Sequence, residues 1–178
     1  VSGGALYRKS SFLLDHLGKR VMPEFVQLSE RPHIKCGLGS SSFDSDGVAT
    51  RDREVVTNGI LQGYFLSTYT ARKLGMQTTG NAGGSHNLIL QPGEDDFAAL
   101  LVKMNRGLLV TELLGQGVNY VTGDYSRGAA GFWVENGKIA YPVEEITIAG
   151  NLKAMLAGIV AIGRDVQVRG SKQTGSIL

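Results

Sequence analysis

The sequence predicts an α+β domain dominated by antiparallel hairpins, with about three short helices. Three observations predict it. Asn58-Gly59 and Asn136-Gly137 each sit between runs of β-branched and aromatic residues, and such pairs accept the positive φ angles of a type I′ turn. Glycine supplies 25 of 178 residues and is mixed with apolar runs, which fits many short strands joined by tight turns. Apolar positions at helical spacing are confined to a few short stretches.

In chain order, residues 8–17 read as a first helix, with Phe12, Leu13 and Leu17 on one face and Gly18 as its stop. Residues 22–28 read as a strand. Arg53–Thr57 and residues 60–69 flank Asn58-Gly59 as a hairpin. Residues 71–74 form a helical turn closed by Gly75. Leu88–Leu90 is a short strand ended by Pro92-Gly93. Glu94-Asp95-Asp96 opens a helix to Met104 with its acidic residues at the positive end and an apolar stripe of Phe97, Leu100, Leu101 and Met104. Strands follow at residues 108–114 and 118–122, then the hairpin at 131–143, whose Pro142 implies that its far end lies at an edge or leaves the sheet. A strand at 146–148 leads to a helix capped by Asn151 and running to Ile162, with Gly163 as its stop. Strands at 164–168 and 175–178 complete the reading.

Residues 1–178 read as one domain, with no internal repeat and no linker. Hydrophobic residues are 42% and charged residues 19%, enough apolar material for a packed core. The net charge of +2, without a basic run, gives no footprint for nucleic acid. No apolar stretch is long enough to span a membrane, and the opening Val1-Ser2-Gly3-Gly4 has no signal-like apolar region. The missing initiator methionine and the end on Ser176-Ile177-Leu178 indicate a piece of a longer protein. One cysteine, Cys36, excludes a disulfide framework and fits a reducing cytoplasm.

The polar candidates have bland readings beside functional ones. His16, His33 and His86 lie far apart and none belongs to a His-Glu-x-x-His helix, which would aim two imidazoles at one zinc. Cys36 reads as a small buried hydrophobe, and Asp44 and Asp46 as turn caps. His86 follows the Gly-rich loop of Gly83 and Gly84 and reads as a loop histidine bonded to backbone. Asp124 and Arg127 read as an ion pair bracing a hairpin. The functional alternative is contact with a substrate or partner by Gly83, Gly84, His86, Gly115, Gln116, Gly117, Asp124, Tyr125 and Arg127.

Several segments together carry a family resemblance: residues 6–15, 43–48, 69–75 and 80–84, then Thr111-Glu112-Leu113-Leu114-Gly115-Gln116-Gly117-Val118, residues 123–134 and residues 145–152. In this order they resemble the C-terminal half of the TldD/PmbA metallopeptidases, and of the PmbA (TldE) branch in particular. The resemblance implies a cytoplasmic, heterodimeric peptidase that trims small or unfolded peptides, including precursors of peptide antibiotics, and that was once described as modulating DNA gyrase. It implies a β-rich domain that helps to close a hollow dimer. In the TldD branch a His-Glu-x-x-x-His helix of the N-terminal half and a cysteine near the C-terminus bind zinc. Here that helix is absent and residues 170–175 contain no cysteine, so no catalytic or metal residue is carried over. The expectation is a non-catalytic subunit with no cofactor of its own, beside a zinc-bearing TldD-like partner or in self-association, acting on peptides without nucleic-acid or membrane contact. Gly-rich backbone at 80–84 and 115–117 is then the expected place for an extended peptide to pair as an added strand. The alternatives are a self-sufficient homodimeric metallopeptidase and a regulator that binds gyrase.

Overall fold

The computed structural model describes residues 2–178 and is an α+β fold of two sheets and four short helices. The elements are α1 (Gly3–Tyr7), β1 (Leu28–Glu30), β2 (Arg53–Thr57), β3 (Ile60–Leu61), α2 (Thr68–Leu74), β4 (Leu88–Leu90), α3 (Phe97–Met104), β5 (Gly107–Leu114), β6 (Asp124–Glu135), β7 (Lys138–Asn151), α4 (Leu152–Ala157), β8 (Gln167–Arg169) and β9 (Lys172–Thr174). A six-stranded sheet runs in the order β3-β2-β1-β4-β9-β8, antiparallel except for the parallel β4–β9 pair. A second, antiparallel sheet runs β5-β6-β7.

Both Asn-Gly turns form as their chemistry requires. Asn58 and Gly59 have φ 51° and 72°, and Asn136 and Gly137 have 52° and 71°. Each turn tip is held by a distant segment. The Gly59 N–H donates to Val26 O at 3.0 Å, and the Gly137 N–H donates to Asn105 O, just past α3, at 2.8 Å. A Cβ on Gly59 would stand 2.1 Å from Met22 O, so the turn needs glycine for space as well as for φ.

Local signals also placed most helix ends. Asp96 caps α3 through the Ala99 N–H at 2.9 Å, Asn151 caps α4 through the Lys153 N–H at 3.0 Å, and Gly75 closes α2 in the left-handed region at φ 65°. α2 starts earlier than expected, because Ser67 and Thr70 form a capping box. α4 stops at Gly158 rather than continuing to Ile162.

Other expectations fail, among them the strand at 60–69, which ends at Leu61 before α2 takes residues 68–74. Residues 8–17 form turns, not a helix, and the helix lies upstream at α1 with Ser2 as its cap. Lys9 and Asp15 have φ 54° and 59°, and the Tyr64 hydroxyl takes the Leu17 N–H and donates to Leu13 O, so the backbone groups a helix would pair are used elsewhere. Residues 22–27 are irregular because they cover the Gly59 turn, which leaves β1 at 28–30. Residues 118–122 make a single bridge, Val118 with Tyr125, instead of a strand. At the C-terminus the strands are β8 and β9, and 175–178 contributes only the Ile162–Ile177 bridge. The segment at 146–148 is not separate. It belongs to the long edge strand β7, which carries Pro142 as an edge strand can.

The main core packs Leu6, Val21, Val55, Val56, Leu61, Tyr64, Leu66 and Ala71 between α1, α2 and the β2–β3 end of the larger sheet. Val55 and Val56 are both buried although consecutive, so this sheet is covered on both faces here. No helix among the described residues is long and apolar enough to cross a membrane.

Candidate functional site

Glu30 ends β1 and is 1% exposed. Its carboxylate accepts from Arg53 Nε at 2.7 Å, from Asn81 Nδ2 at 2.8 Å and from the His86 N–H at 2.6 Å, with His86 Nδ1 at 3.2 Å. Burial pushes the Glu30 carboxyl up, but the Arg53 guanidinium and the Asn81 and His86 donors outweigh it and hold the group below its ordinary value. Arg53 also donates to Tyr64 O at 3.0 Å and lies 4.8 Å from the Phe65 ring centre. Asp44, 5% exposed, accepts from the N–H groups of Asp46, Val48 and Ala82. Burial raises its pKa, the three N–H donors lower it, and the net direction is down.

Together Glu30 and Asp44 clamp the Gly-rich loop. Gly83, Gly84 and His86 sit on this clamp: the Gly84 N–H donates to Asn81 O, and Asn81 Nδ2 donates to Gly84 O at 3.1 Å. His86 is bonded to a buried carboxylate rather than to backbone alone. Asp44 is the turn cap the sequence suggested, and Asp46 accepts from the Thr68 N–H at the start of α2.

Gly115, Gln116, Gly117, Asp124, Tyr125 and Arg127 gather instead where β5 ends and β6 begins. The Ser126 N–H donates to Gly117 O at 2.7 Å, and a Cβ on Gly117 would stand 1.6 Å from Ser126 O. The Asp124–Arg127 pair does not form. Asp124 accepts from Thr122 Oγ1 at 2.6 Å and Asn151 Nδ2 at 3.1 Å, and Arg127 reaches the carbonyls of Leu113 and Leu114. Residues 124 and 127 have opposite parity on a strand, so their side chains leave opposite faces of β6.

The backbone at 80–84 is largely bonded within the chain, whereas at 115–117 the carbonyls of Gln116 and Gly117 are bonded. An unpaired strand edge lies elsewhere. Among the described residues β5 ends its sheet and pairs only with β6. Residues 109–111 all line an open cleft of about 640 Å³, together with Phe97 of α3 and the β8–β9 hairpin. The strand carries a bulge between Val110 and Glu112, which interrupts the side-chain alternation, and residues 109–111 lie on the strand that has no neighbour on its other side. The other free edge of this sheet, β7, is blunted by Pro142, Glu144 and a positive φ of 57° at Glu145. The first five residues of β5, Gly-Leu-Leu-Val-Thr, carry no charge. Sequence reasoning missed this edge because the order of strands is not written in any one segment.

Gly131 sets how closely β5 lies on β6. A Cβ there would stand 1.9 Å from Leu109 O and 3.0 Å from Val110 Cα. Gly131→Ala in the full-length protein is expected to cost about 1–3 kcal/mol, because backbone atoms must move. A urea midpoint within error of wild type would contradict that close fit.

The three histidines do not converge. His16 Nδ1 is 2.6 Å from Leu14 O, His33 Nε2 is 3.0 Å from Thr50 Oγ1, and His86 is held at Glu30. Cys36 is exposed, not a buried hydrophobe, and has φ 59° in a turn. The described residues contain no group of three or more His, Cys, Asp or Glu arranged to hold a metal ion. These residues do not fit a zinc site within the domain.

Residues 1–178 match the family model of the PmbA/TldA metallopeptidase C-terminal domain. The chain is 60% identical to a metalloprotease PmbA homolog of Haemophilus influenzae and 54% identical to metalloprotease PmbA of Escherichia coli O157:H7, in each case over 100% of the chain. It spans about 40% of the length of these curated relatives. Among solved structures, a candidate modulator of DNA gyrase from Bacteroides thetaiotaomicron superposes with a TM-score of 0.92 at 36% identity, covering 99% of this chain and 40% of that one. TldE from Thermococcus kodakarensis superposes at 0.86 with 25% identity, covering 99% and 43%. Agreement in sequence and in fold along residues 1–178 shows that the chain belongs to the PmbA/TldD metallopeptidase family and carries its C-terminal domain.

Proposed function

We propose that this domain belongs to a PmbA/TldE-like subunit that works beside a TldD-like partner in the cytoplasm, as a zinc metallopeptidase of small or unfolded peptides. The zinc and the hydrolytic step are assigned to the partner. The domain walls the peptide chamber, contacts the partner and holds the peptide extended. The observation that carries its own part is the uncharged, unpaired edge of β5 along the cleft. Such an edge binds main chain through N–H and C=O groups that every peptide offers, which suits a trimming enzyme with varied substrates. The PmbA names of the relatives and the TldE structure support the subunit reading.

The test uses the full-length protein, alone and mixed with a TldD-like subunit, on an unstructured peptide. Cleavage is expected only in the mixture, with zinc retained by the TldD-like subunit. Stoichiometric zinc and cleavage by the full-length protein alone would overturn the reading in favour of a self-sufficient peptidase.

A further inference from the structure

The wall of the cleft opposite the β5 edge is one face of the β8–β9 hairpin. Register places Gln167 opposite Thr174 and Arg169 opposite Lys172, and all four line the cleft, whereas Val168 and Gln173 belong to the other face. Arg169 and Lys172 flank the two-residue turn Gly170-Ser171, so two cations stand directly across the strand pair from one another. Like charges in that position are destabilising on their own. Neither has an acidic partner among the described residues. Lys172 Nζ donates to the neutral hydroxyls of Ser85 and Ser171, each at 3.1 Å, and Arg169 has only Gln167 Oε1 at 3.5 Å. The acid that lines the cleft, Asp165, accepts the Ser176 N–H and hydroxyl at 3.0 and 2.6 Å and makes no ion pair with either cation.

We propose that Arg169 and Lys172 form a carboxylate subsite, so that the cleft favours extended peptides carrying an Asp or Glu side chain. The inference rests on the peptide reading above and deepens it. A strand paired along β5 sends alternate side chains to one face, and a carboxylate there meets two cations that the fold leaves uncompensated. The apolar residues Phe97, Leu109 and Val110 line the same cleft and suit the remaining side chains. The β5 edge supplies sequence-independent pairing, and the cation pair supplies selection.

The experiment measures binding of end-capped fluorescent peptides to the full-length protein. The peptides are extended and differ only in Glu or Gln at one central position, and a third carries Gln and a free C-terminal carboxylate. Binding of the Glu peptide about tenfold tighter than its Gln twin is expected, a difference of about 1.4 kcal/mol. In R169Q/K172Q the ratio should fall to within about twofold. V168Q, on the opposite face, should keep it. Unfolding of R169Q/K172Q should need at least as much urea as wild type, because a like-charge pair is removed, and this separates loss of selection from loss of fold. Equal binding of the capped Glu and Gln peptides would overturn the carboxylate subsite while leaving peptide binding in place. Tighter binding of the free-C-terminus peptide than of the capped Glu peptide would overturn the side-chain assignment. No binding of any peptide would remove the peptide reading and this inference with it.

Discussion

Replacing Glu30 by alanine in the full-length protein is expected to destabilise it by about 3–5 kcal/mol. The carboxylate is buried, and three separate segments depend on it: Arg53 on β2, Asn81 in the Gly-rich loop and His86 beyond it. Its removal leaves the Arg53 guanidinium as a poorly compensated charge, with Nη2 already lacking a partner. It also leaves the half-buried His86 N–H without an acceptor. The isosteric Glu30→Gln retains the shape and should cost less. The pH dependence has a definite sign. Because the folded-state carboxyl is held below its ordinary value of 4.5, its contribution is fully present above that value and is lost as pH falls through the lower folded-state one. Asp44 contributes in the same direction. Urea midpoints measured from pH 7 down to pH 3 should therefore fall less steeply on the acid side in Glu30→Gln. A Glu30→Ala loss under about 1 kcal/mol, or an unchanged acid limb in Glu30→Gln, would contradict the role given to this cluster.

Leu66→Ala is expected to cost about 2–5 kcal/mol, the range for a truncated core leucine that leaves a cavity. Leu66 is 1% exposed and belongs to the main core cluster. It packs so near Gly3 that a Cβ there would stand 3.0 Å from Leu66 Cδ2, which shows how little room α1 has to collapse into the gap. Its backbone also anchors the Gly-rich loop. The Leu66 N–H donates to Thr79 Oγ1 at 2.7 Å, and its carbonyl accepts from the N–H groups of Thr79 and Asn81 at 3.2 and 3.3 Å. The loss should therefore appear both as a lower unfolding midpoint and as faster amide exchange at Asn81 and Ala82. Unchanged exchange at those two amides would show that the core and the loop are not coupled through this residue.

What the sequence by itself determined was local. The Asn58-Gly59 and Asn136-Gly137 turns, the Asp96 and Asn151 caps and the Gly75 stop each depend on residues within a few positions of one another, so their chemistry is readable in order. The family was readable for a different reason, because many such short segments recur together along the whole chain. The failures are also physical. Residues 8–17 have a helical apolar pattern, but Tyr64, distant in sequence, takes their backbone groups. Glu30 carries no local signal in the sequence, and only the approach of residues 53, 81 and 86 makes it a buried clamp. The pairing of Arg169 with Lys172, and the facing of both toward a bare β5 edge, required the register of one hairpin and the strand order of two sheets. Burial, register and edge exposure are properties of pairs of segments far apart along the chain, so the tertiary structure alone decided the candidate site.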